Sequence, residues 1–313
     1  MLGNQEIDSE IDKETTAMKN TTKLFAAAAL SLGLFGCSSS SSSTSSAAAS
    51  STADASSASS AASGETVTLK VGATTSPHAV ILEEAKPLLA DQGIDLEIVE
   101  FSDYPNINPS TSDGSLDANY FQHFPYLESY NADNNYEEGK DGYLVSAGAI
   151  HYEPLGIYSE KHESVDDVAD GAQIAIPNDA TNEARALYLL QDQGWITLND
   201  GVSISTATIH DIKDNPKNLD IVEIAADQIA SKLPDVDYGV LNGNYALTSN
   251  VTDDLLVTEA ADSEAAKTYE NVIAVREDRK DDEAIKKLVE VLKSDDVKAI
   301  ITEKFGDFAV PAE

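Results

Sequence analysis

The chain has 313 residues, 42% of them apolar, enough for one large domain or two ordinary ones with real hydrophobic cores. Against 20 Lys and Arg stand 55 Asp and Glu, a net charge of −35 that repels phosphate backbones and offers no polybasic patch to anionic lipids, so nucleic-acid binding is excluded. The single cysteine, Cys37, rules out an intramolecular disulfide and a thiolate metal cluster.

Residues 1–17 are acidic and fit no signal-peptide n-region, so they read as an extension from a start codon assigned upstream of Met18. From Met18 two lysines, Lys19 and Lys23, precede an apolar run over Leu24–Phe35, which ends in Leu34-Phe35-Gly36-Cys37. The run falls short of the roughly 20 residues that span a bilayer. It has the anatomy of a cleaved export signal over residues 18–36, and its tail resembles the lipobox of bacterial lipoproteins, which implies lipidation of Cys37. Residues 37–65 are almost pure Ser and Ala, a composition that buries too little surface to offset its ordering entropy, and are expected to form a tether.

Folded sequence starts near Thr66. Thr66–Val71 alternates Val67, Leu69 and Val71 as a strand does; a helix is expected over Pro77–Gln92, stopped by Gly93, with Pro87 threatening a kink. Ile94–Phe101 reads as the next strand. Strand–helix–strand at this spacing is a βαβ unit and predicts a parallel sheet. The pattern restarts with a strand over Ala172–Ile176 and a helix over Thr181–Gln193, closed by Gly194. Further strands are expected at Ile221–Ile224, Asp237–Leu241 and Asn271–Val275, and terminal helices at Asp282–Lys293 and Asp295–Phe305. Two α/β blocks with a late return strand predict two lobes, the second inserted into the first.

Enzyme signatures are missing: there is no G-x-S-x-G, no H-E-x-x-H and no G-x-x-x-x-G-K-[ST]. His78, His123, His151, His162 and His210 lack metal-ligand spacing, and no cofactor is expected. What the sequence does concentrate is aromatic rings. Residues 117–131, DANYFQHFPYLESYN, hold Tyr120, Phe121, Phe124, Tyr126 and Tyr130 around His123. Arginine is scarce, and Arg185 sits one turn into a predicted helix, where a guanidinium holds a carboxylate well; pairing with Glu183 or another acid is the alternative. Asn178 and Asn182 beside it, with Asn242, Asn244 and Asn271, add polar anchors. Rings, one arginine and several amides describe a small amphipathic guest with the chemistry of an amino acid.

The segments KVGAT (70–74), LDANYFQHFPYLESYN (116–131), IAIPNDATNEARAL (174–187), VLNGNYAL (240–247) and NVIAVRE (271–277) resemble the methionine-binding lipoproteins, NlpA- or MetQ-like, that serve ABC importers. The resemblance runs from about residue 66 to the end. It implies a bilobal α/β fold of the periplasmic-binding-protein type II, with lobe 1 over 66–150 and 257–313 and lobe 2 over 151–256. It implies a non-enzymatic, monomeric protein that is lipid-anchored outside the cytoplasm and delivers methionine to an ABC permease. A methionine dipeptide or another small amino acid is the alternative cargo, and a secreted enzyme on the same scaffold the alternative class. Carried over residue by residue, Tyr104, Phe121, His123 and Tyr126 would line the side-chain cage. Arg185 and Asn182 would take the carboxylate, and Asn242 and Asn271 would meet the polar ends from facing lobes. His151 and Glu153 fall where the chain crosses between lobes. Phe124 and Tyr130 are expected to serve packing. After Tyr104 the sequence PNINPSTSDGS departs from the family pattern, and Pro109 is expected to delay or break the helix there.

Overall fold

Alternating apolar residues put Val71 and Leu69 of β1 (Val67–Thr74) beneath α1 (Val80–Ala90), and β2 (Ile94–Phe101) returns parallel to β1 in register from Val67↔Ile94 to Thr74↔Phe101. The βαβ unit is thus present as expected. The computed structural model describes residues 66–260 and 267–313; the export signal, Cys37 and the tether lie outside the described residues. Pro87 sits inside α1 without ending it: the helix runs three residues further. The second half of the expected helix is sound, but its start is not, because Thr75–Ala79 forms a separate wide turn with Ser76 extended and a cis Ser76–Pro77 bond.

The first sheet adds β3 (Ala118–His123), β4 (Leu144–Tyr152), β12 (Glu270–Arg276) and β13 (Val310–Pro311), in the order β13-β4-β12-β3-β1-β2. The second contains β5 (Gly156–Tyr158), β6 (Gln173–Pro177), β9 (Asp220–Ile224), β10 (Tyr238–Leu241) and β11 (Leu255–Thr258), in the order β11-β5-β10-β6-β9. A small ribbon pairs β7 (Thr197–Leu198) with β8 (Ile212–Asp214). In the first sheet β12 and the edge strand β13 run against the other four strands, in the second only β5 runs against the rest, and each sheet has its own apolar core. Leu69, Ile81, Leu288 and Ile301 belong to one; Ile174, Ile176, Leu187 and Val240 belong to the other.

The chain leaves the first sheet at Tyr152, enters the second at Gly156, and starts back after Thr258. Two crossings joining two α/β lobes give the bilobal periplasmic-binding-protein fold. α4 (Ala180–Asp192) follows β6, and α5 (Ile229–Lys232) and α6 (Gly243–Ser249) flank β10. α7 (Glu283–Leu292) and α8 (Asp295–Phe305) close the first lobe, within a residue of their expected bounds. Among the described residues no helix is long and apolar enough to cross a membrane.

Two segments differ from the reading of the sequence. The departing stretch forms a short helix, α2 (Ile107–Ser112), which starts three residues after Tyr104 and keeps Pro109. Pro109 is its third residue, where a helix has no intrahelical partner for the N–H that proline lacks, so the ring is tolerated. Phe124, expected to pack inside, is 44% exposed at the first position of α3 (Phe124–Asp133). Tyr130 is half-buried and donates its hydroxyl to Ser112 Oγ at 3.0 Å. Replacing Phe124 by Ser is therefore expected to cost under about 1 kcal/mol in urea unfolding, against about 3–5 kcal/mol for a core phenylalanine.

Candidate functional site

Where the two lobes meet lies a small cavity. Nine of the ten residues singled out for ligand contact line it: Tyr104, Phe121, His123, Tyr126, Glu153, Asn182, Arg185, Asn242 and Asn271. His151 does not. It lies one layer behind, fully buried.

The aromatic wall owes its shape to a defect in β3. Asn271 pairs with His123, Val272 with Gln122 and Ile273 with Tyr120, so Phe121 is an extra residue opposite no partner. Such a bulge twists the strand and re-aims side chains, and Phe121, Gln122 and His123 all reach the cavity in succession. The Tyr104 ring lies 5.6 Å from Phe121, 5.7 Å from Tyr126 and 4.8 Å from Tyr245, tilted or edge-on as aromatic quadrupoles prefer. Its hydroxyl donates across the cleft to Asn244 Oδ1 at 2.6 Å. His123 ends β3 and caps α3: Nδ1 accepts from the Tyr126 N–H at 3.2 Å, which leaves Nε2–H to donate to Asn182 Oδ1 at 3.1 Å. Burial first, and the Arg185 charge second, push His123 down to about 3, so the ring is neutral.

Arg185 is fully buried, and the acid it pairs with is Glu259. Nε donates to both Glu259 oxygens at 2.9 and 3.0 Å; Nη2 donates to Glu259 Oε2 at 2.5 Å and to the Glu153 carbonyl at 2.7 Å. Burial opposes the charge, but the Glu259 carboxylate outweighs it and holds the guanidinium above its ordinary range. Nη1 has no hydrogen bond among the described residues.

Asparagines meet at the same place. Asp179 caps α4, accepting the Asn182 N–H at 3.1 Å and Nδ2 at 2.9 Å, which turns Asn182 Oδ1 towards the cleft. That oxygen also accepts Asn242 Nδ2 at 2.8 Å. Asn242 occupies the N-cap position of α6, yet its side chain makes no capping bond. Its Oδ1 is a buried acceptor with no partner, a costly arrangement unless something else supplies a donor.

Glu153 stands on a support of buried histidines. His151 Nε2 donates to its Oε1 at 2.8 Å; His78 Nε2 donates to Asn271 Oδ1 at 2.9 Å and lies 3.2 Å from Glu153 Oε1. The far nitrogens face hydroxyls, Tyr120 at 2.5 Å and Thr74 at 2.7 Å. Burial lowers His78 to about 4 and His151 to about 3, so both rings are neutral donors. Burial raises the Glu153 carboxyl, while His78, the Asn244 backbone amide and Arg185 favour its charged form. Side-chain atoms of His78, His151 and Glu153 lie within 4.8 Å of one another, a spacing that suits a cation. Hydrogen bonds already account for all four ring nitrogens, so the trio is a scaffold that fixes Glu153. Gly243 lets α6 come this close: a Cβ there would lie 3.0 Å from Glu153 Oε2 and 3.3 Å from the Phe308 carbonyl.

Residues 69–313 match the family model described as NlpA lipoprotein. The chain belongs to that family. The methionine-binding lipoprotein MetQ of Bacillus subtilis is 40% identical over 245 residues, 77% of this chain and 86% of the relative. Among solved structures, a periplasmic substrate-binding protein of an ABC transporter from Coxiella burnetii is 40% identical with a TM-score of 0.71, covering 78% of this chain and 100% of that one. A nutrient-binding protein of Burkholderia cenocepacia, solved with methionine bound, is 39% identical with a TM-score of 0.72 and the same coverage.

Four residues of the cavity and its surroundings escape sequence reasoning: His78, Gln122, Asn244 as a partner of Tyr104, and Glu259. Gln122 lies in a strand that no alternation marks, at a bulge that only the paired strands reveal. It closes an amide network with Asn108 and Asn119, with bonds of 2.6 to 3.0 Å. Glu259 carries no local signal, since its partner lies 74 positions away.

Proposed function

We propose that this chain is an extracytoplasmic solute-binding lipoprotein that captures methionine and hands it to an ABC permease. The observation that carries the reading is one cavity containing an unpartnered buried acceptor, Asn242 Oδ1, an arginine with Nη1 unused, and three aromatic rings. An ammonium group supplies the donor that Asn242 lacks, with Glu153 as its counter-charge. A carboxylate fits Arg185 Nη1 beside Asn182, and Asn271 adds a further polar contact. Tyr104, Phe121 and Tyr126, with neutral His123, enclose a thioether chain, for which sulfur–ring contact is favourable. The ligand names of the relatives support the same cargo.

The two lobes close on the ligand about the crossings that leave the first sheet after Tyr152 and the second after Thr258, each two residues beyond the bounds expected at 150 and 256. Cys37 carries the lipid, the tether lets the monomer reach the permease, and no residue is assigned a catalytic role. Calorimetric titration of the ligand-stripped chain with methionine, leucine and glycyl-methionine tests this. Methionine is expected to bind one to one and tightest. Equal affinity for leucine would refute the specificity, and tighter binding of the dipeptide would reassign the cargo.

A further inference from the structure

We propose that Glu259 is a positioning residue that aims Arg185 at the ligand carboxylate and ties that contact to both lobe crossings. The inference rests on the methionine reading above and concerns a residue outside the ligand cavity. Glu259 follows β11 directly, at the start of the return crossing, and is 7% exposed. Besides holding Arg185 Nε and Nη2, its carboxylate accepts the Tyr152 hydroxyl at 2.6 Å and the Leu155 N–H at 2.9 Å. Its own N–H donates to the Leu155 carbonyl at 2.9 Å. Tyr152 and Leu155 flank the outward crossing, and Arg185 Nη2 reaches the Glu153 carbonyl in that same crossing.

The guanidinium is also held between rings, 4.4 Å from the Tyr269 centroid and 5.4 Å from that of Tyr152. Every degree of freedom that would let it swing is therefore taken, and the nitrogen left over is Nη1. Because Glu259 already balances the charge, an incoming carboxylate meets a directed donor rather than a free cation. A neutral residue at 259 raises the positive charge of the site while loosening its aim. Charge alone would then predict tighter binding of an anion, and positioning predicts weaker binding.

The test compares methionine with methioninamide, the same molecule lacking a carboxylate, on wild-type and Glu259→Gln chains by calorimetry. The wild type is expected to prefer methionine. In Glu259→Gln the preference is expected to shrink at least about tenfold, through loss of methionine affinity, while methioninamide affinity stays within about twofold. An equal loss for both ligands, or tighter methionine binding, overturns the inference and leaves Glu259 a merely structural residue. If Glu259→Gln does not fold by circular dichroism, Tyr152→Phe, which removes one bond to the carboxylate, carries the test. It is expected to shrink the preference about threefold, and an unchanged preference overturns the inference. A wild-type chain that binds no methionine would instead overturn the ligand reading itself, a distinguishable failure.

Discussion

Replacing Arg185 by Ala is expected to weaken methionine binding by at least about 100-fold and to lower the unfolding free energy by about 3–5 kcal/mol. Both effects follow from burial. The guanidinium is 2% exposed, and truncating it strands the Glu259 carboxylate in the interior with only the Tyr152 hydroxyl and Leu155 amide as partners. Removing both charges, as Arg185→Met with Glu259→Leu, is expected to recover part of the stability and none of the binding. Lysine at 185 keeps the charge but not the fork, so it is expected to fall between wild type and alanine in both measurements. Isothermal titration and urea unfolding read the two effects separately. Unchanged methionine affinity in Arg185→Ala would remove the residue from the site.

Acidification from pH 7 to pH 5.5 is expected to destabilise the chain before ordinary carboxylates titrate. His78, His123 and His151 have folded values of about 4, 3 and 3, depressed from an ordinary 6.5 chiefly by burial. A depressed value means that the unfolded chain binds the proton first. The stability each ring contributes is full above pH 6.5 and is lost as pH falls towards its folded value. Each histidine adds a slope that rises from about 0.7 kcal/mol per pH unit at pH 6.5 towards about 1.4 well below it, so three together cost about 4 kcal/mol between pH 7 and pH 5.5. Glu153 and Asp179 work the other way: burial raises both, and protonating them favours the folded state, which offsets part of the slope. Unfolding free energies across this window should therefore fall with pH. Flat or rising stability would mean that these imidazoles are solvated or already charged. In the folded state the ring proton shifts of the three histidines are expected to stay at neutral-imidazole values down to pH 5.5.

Much of the fold was legible because period and punctuation agreed. β2 and β6 are short apolar runs next to glycine or proline, β1 alternates before running on through Gly72, α4 is followed by Gly194, and the paired βαβ units dictate the parallel sheets. β3 was not legible as a strand. All six of its residues are buried, and Asn119, Gln122 and His123 among them are polar, so no alternation marks it. Those side chains are satisfied by α2 and by the opposite lobe, partners that only the folded chain supplies. β5 and β11 are too short to carry a period. In the site, rings and amides were legible as residue types in dense motifs, and family resemblance selected among them. What stayed hidden was direction and support. Nothing local separates Phe124, which faces solvent, from Phe121, which faces the cavity, because a bulge decides it. His151 and Glu153 were both named because the resemblance puts them where the chain crosses between lobes, but only Glu153 reaches the cavity, with His151 hydrogen-bonded behind it.

The most direct measurement is a crystal of the ligand-stripped chain, produced with ordinary methionine, soaked in selenomethionine and recorded at the selenium edge. The account predicts one anomalous peak enclosed by Tyr104, Phe121 and Tyr126, with the ligand carboxylate on Arg185 Nη1 and its ammonium group on Asn242 Oδ1. A peak anywhere else, or a cavity without selenium in a soak that saturates the protein in solution, would contradict it.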